Sequence, residues 1–97
     1  MTKQEILVSL KKNTPVLSEK FGIKQLALFG SYAKNEQTEN SDIDILVVKM
    51  EQKNMLTLLK AKRFLSDLFD KEVDIGLFDS LRPFIKNRVQ NEMIYVK

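Results

Sequence analysis

Residues 26–48, LALFGSYAKNEQTENSDIDILVV, contain two apolar runs separated by a polar loop. The first run, residues 26–29, has the length and composition of a short buried strand that ends at Gly30-Ser31. The second run, residues 43–48, is rich in β-branched residues and predicts a second strand. The loop between them covers residues 30–41, and an unstructured loop of this length is often functional.

Two aspartates, Asp42 and Asp44, open the second predicted strand. Residues i and i+2 of a strand point to the same face, so both carboxylates should project together, with Ile43 on the opposite face. Two adjacent carboxylates repel each other, and folding does not require the pair. A cation between them would remove the repulsion, and an all-oxygen ligand set suits Mg²⁺.

The Gly30-Ser31 corner is complementary to this carboxylate pair. Gly30 ends the first strand and can adopt backbone dihedrals that other residues avoid. Backbone N–H groups in such a turn, together with the Ser31 hydroxyl, can bind phosphate oxygens. A phosphate-binding turn that faces two carboxylates predicts a site for a metal-chelated nucleoside triphosphate.

The spacing of these motifs resembles a known family. Gly-Ser, ten intervening residues and Asp-Ile-Asp are similar to the signature of the DNA polymerase β-type nucleotidyltransferases. The full run GSYAKNEQTENSDIDILV resembles the single-domain branch called minimal nucleotidyltransferases (MNT), and Asp74 falls where that family has its third carboxylate. Asn35 stands where the family usually has Gly, and Asn is among the residues that best tolerate a left-handed conformation.

The resemblance implies a role for each matching residue. Asp42 and Asp44 would hold two Mg²⁺ ions around the triphosphate, and Asp74 would bind the ion that activates the acceptor hydroxyl. Gly30 and Ser31 would contact the β- and γ-phosphates. The implied activity is transfer of a nucleoside monophosphate, AMP from ATP, to a hydroxyl. Similar proteins act as antitoxins of HEPN-domain toxins, and some of them transfer AMP to a toxin tyrosine.

Other interpretations of the same residues stay open. Asp70 and Asp79 lie near Asp74 in the sequence, and a solvated aspartate on a strand face is common. Ser31 could be a simple helix-capping serine. The chain could also be a binding module that neutralises a partner by contact with little or no catalysis. The apolar residues 77–78 and 81–85, with Tyr95 and Val96, would then form a protein interface instead of ordinary core packing.

Composition limits the remaining classes of function. The chain has 97 residues, which fit one domain over 1–97, and it is 43% hydrophobic and 30% charged. Because it lacks Cys and His, disulfides, thiolate zinc sites and catalysis by Cys or His are excluded. A net charge of +3 is compatible with nucleotides but is no nucleic-acid signature, and no region is present to grip a template. The absence of a signal segment or long apolar run predicts a cytoplasmic protein without membrane contact, and its oligomeric state stays open.

The remaining pattern predicts the other elements. Thr2–Lys20 should be helical with a break near Pro15 and a stop at Gly22, and 54–69 should form the clearest helix. A third strand is expected at 71–76, a helix capped by Ser80 through Pro83 to Gln90, and an edge strand at 93–96. The apolar stripe of the 54–69 helix, which should pack in the core, comprises Met55, Leu58, Leu59, Ala61, Lys62, Leu65, Leu68 and Phe69. This order predicts an α+β (α/β layered) fold with a small mixed β-sheet flanked by helices, and the resemblance implies the nucleotidyltransferase fold.

Overall fold

The structure is a computed structural model that describes residues 1–96. The single domain expected over 1–97 also includes Lys97, which lies outside the described residues. Within 1–96 there are four α-helices, four strands and a 3₁₀ turn. In chain order they are α1 (Lys3–Lys12), α2 (Thr14–Phe21), β1 (Ile23–Phe29), β2 (Ile43–Met50), α3 (Met55–Phe69), β3 (Val73–Leu77), the 3₁₀ turn (Phe78–Ser80), α4 (Pro83–Gln90) and β4 (Ile94–Tyr95).

The N-terminal helices begin and end at the residues that the sequence predicts. Thr2 and Glu5 form a reciprocal capping box that satisfies free N–H groups at the start of α1. Pro15 occupies the first turn of α2, where its missing N–H costs nothing, and the helical segment is therefore divided at Asn13. Gly22 ends α2 with φ of 66°, the left-handed cap that glycine adopts without steric cost.

The sheet is small and mixed, as predicted, with the strand order β3-β2-β1-β4. β1 pairs antiparallel with β2 and with the edge strand β4, whereas β2 and β3 are parallel. Parallel neighbours require a crossover connection, and α3 supplies it. The α+β class with helices flanking a mixed sheet is thus confirmed.

Strand alternation gives the sheet two apolar faces, and each face is covered by helices. Ile43, Ile45 and Val47 of β2 pack in the main core with Ile6, Leu10 and Leu17 of α1 and α2 and with Leu58 and Leu65 of α3. Leu46 of β2 and Ala27 of β1 face the other way, against Val89 of α4 and Met93. Because Asp42 and Asp44 have the same parity as Leu46, they belong to the face that α4 covers.

Two details of the predicted elements were wrong. Ser80 lies in the 3₁₀ turn and does not cap α4, whose N-cap is Arg82 in an extended conformation. Pro83 explains this start, because proline disfavours a helical conformation in the residue before it. The predicted core stripe of α3 is also too wide: Leu58, Ala61, Leu65 and Phe69 are buried, but Met55, Leu59 and Leu68 are exposed. A helix on one face of a sheet buries a single stripe, and apolar composition alone does not fix its width.

Several strand ends also differ from the predicted bounds: β1 begins at Ile23, β2 continues to Met50, β3 covers Val73–Leu77 and β4 covers only Ile94–Tyr95. Among the described residues, no helix is both long enough and apolar enough to cross a membrane.

Candidate functional site

Two strands bring the predicted carboxylates together. β2 and β3 are parallel, and their register places Asp44 directly beside Asp74. Asp42 precedes Asp44 by two residues and therefore shares its face. The backbone N–H of Ile43 donates to the carbonyl of Glu72 at 3.0 Å, which extends the pairing to the start of both strands. The three aspartates thus lie at one end of two neighbouring strands.

The electrostatics show that these acidic groups interact. Burial raises the pKa of the Asp44 carboxyl above its ordinary value, and the negative charges of Asp74 and Asp42 raise it further. Asp44 is half-buried, whereas the Asp74 side chain is 60% exposed. The protein therefore holds Asp44 in a position where its charge is unfavourable unless a cation or a proton neutralises it.

Gly30 touches this carboxylate. It has a φ of 77°, the positive value expected of the Gly-Ser corner, and it follows Phe29, the β1 residue that pairs with Asp44. A Cβ atom at Gly30 would lie 3.0 Å from Asp44 Cγ and would overlap its Oδ2. Only glycine leaves room for the carboxylate beside this turn, so Gly30 and Asp44 form one local unit.

The segment after Gly30 forms a hydrogen-bonded turn. The Lys34 N–H donates to the Gly30 carbonyl at 3.2 Å, and the Glu36 N–H donates to the Ser31 carbonyl at 2.8 Å. Tyr32 is buried in the main core and therefore anchors the turn to the sheet. The turn therefore presents Ser31 from a fixed backbone position next to the carboxylates.

Asn35 closes the same turn in a left-handed conformation with φ of 60°. The chain thus keeps the backbone geometry expected of a glycine. We expect Asn35→Gly to change the free energy of unfolding by less than about 1 kcal/mol, because Asn tolerates this region. Asn35→Val should lower it by about 1–2 kcal/mol, since a β-branched residue is strained there. Chemical denaturation measures the free energy of unfolding of both variants. If the two variants are equally stable, the left-handed backbone at residue 35 does not matter for stability.

The two aspartates that competed with Asp74 in the sequence have other roles. Asp70 ends α3 in the left-handed conformation with φ of 50°. Asp79 is exposed and pairs with Lys53 at 2.9 Å and with Lys86 at 3.5 Å. Neither residue lies in the strand register that connects Asp74 to Asp44.

Sequence reasoning missed one neighbour of the carboxylates. The helical spacing includes Lys62 at the polar edge of the α3 stripe, but its Nζ lies 3.8 Å from Asp74 Oδ1 and 3.9 Å from Glu72 Oε1. The helical pattern shows that residue 62 faces the sheet margin, but only the packing of α3 beside β3 shows which acidic groups it meets.

The carboxylates at this end of the strands are oxygen ligands of the kind that divalent cations such as Mg²⁺ bind. Within residues 1–96, no group of three or more acidic, His or Cys side chains converges tightly enough to form a ready-made metal site. Mg²⁺, however, is usually held by one or two carboxylates together with substrate phosphates. The half-buried, charge-crowded Asp44 beside the Gly30 turn fits such a site, in which the phosphates of the substrate would complete the ligand set.

The chain is similar to known proteins in both sequence and fold. A family model described as a nucleotidyltransferase domain matches residues 10–96. A candidate protein adenylyltransferase of Methanocaldococcus jannaschii is 42% identical over 96 residues, with 98% of each chain covered. A solved structure of a candidate minimal nucleotidyltransferase is 30% identical, with a TM-score of 0.78 over 97% of this chain and 95% of that one.

A third similar protein is seen in a complex. The crystal structure of a tri-AMPylated Shewanella oneidensis HEPN toxin with its MNT antitoxin contains a chain that is 21% identical, with a TM-score of 0.62. The alignment covers 98% of the present chain and 68% of that chain. At 21% sequence identity, this similarity shows that the two chains share a fold.

Proposed function

The chain belongs to the nucleotidyltransferase domain family, and from that membership we propose that it is a Mg²⁺-dependent enzyme that transfers AMP from ATP to a hydroxyl of a partner protein. The observation that carries the proposal is the pairing of Asp44 with Asp74 across β2 and β3, beside a glycine that leaves room for the carboxylate. Folding alone gives no reason to place like charges there, whereas divalent cations bound together with the substrate do.

Each residue of the site has a proposed role in binding the metal ions or the substrate. Asp42, Asp44 and Asp74 would hold two Mg²⁺ ions, which when bound would neutralise the phosphates and the charge that develops during transfer. Gly30 and Ser31 would contact the β- and γ-phosphates through the turn. These contacts would orient the α-phosphorus toward the exposed side of Asp74, where an acceptor can approach.

The reaction is a substitution at the α-phosphorus. The acceptor oxygen forms a bond to the α-phosphorus as the bond to the bridging α–β oxygen breaks, and pyrophosphate departs. The hydroxyl proton passes to solvent, which reaches the exposed Asp74 side chain. Most of the acceleration would come from positioning and from fixed electrostatics rather than from a covalent protein intermediate.

We propose that the acceptor is a tyrosine of a HEPN-domain toxin and that the chain acts as its antitoxin in the cytoplasm. The adenylyltransferase name of the archaeal relative and the AMPylated toxin in the complex of the Shewanella protein support this assignment. Phosphoryl and nucleotidyl transfer to protein needs an acceptor brought to an open site, and the exposed Asp74 side meets that need.

Incubation of the protein with a HEPN partner, Mg²⁺ and each of the four labelled ribonucleoside triphosphates tests this assignment. We expect label from ATP to appear on the partner and to disappear when the acceptor tyrosine is replaced by Phe. The absence of label on the partner with every nucleotide would contradict the proposal.

A second function, neutralisation of a partner by contact, is favoured by one observation. Phe84 in the first turn of α4 is 69% exposed, and Tyr95 of the edge strand is also exposed. Most of the other apolar residues suggested as an interface are packed inside the protein. Phe78, Leu81 and Ile85 pack against the apolar cluster on the α4 face of the sheet, and Leu77 and Val96 pack against the main core.

The ratio of protein to partner separates the two functions. An enzyme should neutralise many partner molecules per antitoxin molecule once ATP and Mg²⁺ are present. A contact inhibitor should need about one molecule for each partner, with or without ATP, and should keep its effect when Asp42 and Asp44 are both replaced by Asn. Partner activity measured across a series of molar ratios distinguishes them.

A further inference from the structure

Lys62 stands between α3 and the acidic end of β3. Its side chain is 35% exposed, and its Nζ lies 3.8 Å from Asp74 Oδ1 and 3.9 Å from Glu72 Oε1. Glu72 and Asp74 are separated by one residue and therefore share a strand face. One ammonium group thus stands within reach of two carboxylates, of which Asp74 is the candidate third carboxylate of the site.

This contact gives Asp74 a cationic neighbour in addition to the Asp44 carboxylate. The strand register places Asp74 beside Asp44, yet no cluster of three acidic, His or Cys side chains able to hold a metal is found among residues 1–96. The Lys62 ammonium attracts the Asp74 carboxylate and would compete with a divalent cation for it. Asp74 therefore has a cationic partner even without a divalent ion.

We infer that Lys62 is a positioning residue that occupies Asp74 in the metal-free protein and shifts to Glu72 when a divalent cation binds between Asp74 and Asp44. The inference rests on the proposed function, because it assigns Asp74 to the cation site. Glu72 makes the exchange feasible, since Lys62 already lies at nearly the same distance from its carboxylate and would not be left unpaired.

The size of the effect follows from the exposure of the pair. Exposed ion pairs contribute about 0.2–1 kcal/mol, which corresponds to a change of up to about fivefold in an equilibrium constant. Removal of Lys62 frees Asp74 from this competitor, so the Lys62→Met variant should bind Mn²⁺ about two- to fivefold more tightly than the wild type. The methionine keeps the apolar length of the side chain and removes only its charge.

A matched control separates this contact from net charge. Lys60 is an exposed lysine on the same helix, so Lys60→Met makes the same change in net charge without altering the acidic pair. At about 0.15 M ionic strength the Debye length is about 8 Å, and a distant surface charge then has little effect. We expect Lys60→Met to change Mn²⁺ affinity by less than about 1.5-fold.

Glu72 provides a second test through a double-mutant cycle. Without its alternative acceptor, Lys62 should hold Asp74 more persistently, so Glu72→Gln should weaken Mn²⁺ binding by about twofold in the wild-type background. The same substitution should have a smaller effect in the Lys62→Met background. Equal effects in both backgrounds would show that Lys62 does not move between the two carboxylates and would overturn the inference.

Isothermal titration with Mn²⁺ as the probe measures all of these affinities without requiring activity. Tighter binding by Lys62→Met than by both the wild type and Lys60→Met supports the inference. If Lys62→Met binds Mn²⁺ with the same affinity as the wild type, or with the same affinity as Lys60→Met, the inference is overturned. The proposed function is unaffected by that result. If neither the wild type nor Lys62→Met binds Mn²⁺, the inference is overturned, whereas the proposed site, whose ligand set the substrate phosphates complete, is tested by the transfer assay.

Discussion

Asp44→Asn is expected to make the metal-free protein more resistant to heat while lowering AMP transfer by at least about a thousandfold, the scale of losing a central electrostatic contact. Burial and the charges of Asp74 and Asp42 make the ionised Asp44 unfavourable in the folded protein. A neutral amide of similar shape removes that repulsion but cannot serve as an anionic ligand. A substitution that stabilises the fold and abolishes activity is typical of a site whose strain serves function.

The pH dependence of stability has a definite sign here. The raised pKa means that the folded state holds the Asp44 proton more tightly than the unfolded state. The ionisation of Asp44 therefore lowers the free energy of unfolding as the pH rises from the ordinary pKa of an aspartate through the raised pKa of Asp44. The loss persists at neutral pH. In Asp44→Asn this part of the pH dependence should be missing, which thermal unfolding measured from about pH 3 to pH 7 in the presence of a chelator can show.

A control for this prediction is Asp67→Asn on the exposed face of α3. It removes the same charge far from the strand register of the carboxylates and should change neither thermal stability nor transfer appreciably. If Asp44→Asn lowers the melting temperature of the metal-free protein, the carboxylates do not repel each other as described. If it leaves transfer unchanged, Asp44 is not part of the catalytic site.

Gly30→Ala should lower both stability and transfer. An alanine at φ of 77° is strained by about 1–2 kcal/mol, and its Cβ would also overlap the Asp44 carboxylate. We therefore expect a loss of about 2 kcal/mol or more in the free energy of unfolding. The displaced carboxylate should lower transfer by about a hundredfold, because misplacement by about 1 Å can have this cost.

The other two glycines of the chain provide matched controls. Gly22→Ala has similar backbone strain, with φ of 66°, but its Cβ would lie 3.4 Å from Glu51 Cβ, which is an ordinary contact distance. This contact does not involve Asp42, Asp44 or Asp74. It should lose stability and keep transfer activity per folded molecule. Gly76→Ala should be close to neutral, because its Cβ would lie 3.9 Å from Leu46 Cδ2. Equal loss of transfer in Gly22→Ala and Gly30→Ala would show that only stability matters at Gly30.

The local parts of the site could be predicted from the sequence because they depend on neighbours in the chain. The alternation of a strand places Asp42 and Asp44 on one face, and the glycine at the end of β1 predicts a turn with positive φ. The capping box at Thr2 and the stop at Gly22 have the same local origin.

The sequence names Asp74 only through a family resemblance, and the contacts between residues distant in the chain required the structure. Asp74 is a neighbour of Asp44 only because β2 and β3 pair in parallel with one particular register, and a shift of one residue would have turned it to the other face. The pattern of α3 predicts which of its residues are apolar, but it does not predict that Lys62 lies beside β3 and its acidic residues. Leu59 and Met55 were predicted to be buried because they are apolar, yet the sheet covers only one side of α3.

Transfer of label from two forms of radioactive ATP tests the central claim most directly. With ATP labelled at the α-phosphate, the wild-type protein, Mg²⁺ and a HEPN partner, we predict label on the partner, because the α-phosphorus is the atom attacked. With ATP labelled at the γ-phosphate, the label should leave with pyrophosphate, and the partner should stay unlabelled. Label on the partner from the γ-phosphate, or from neither position, would contradict the account of Asp42, Asp44 and Asp74 as a nucleotidyl-transfer site.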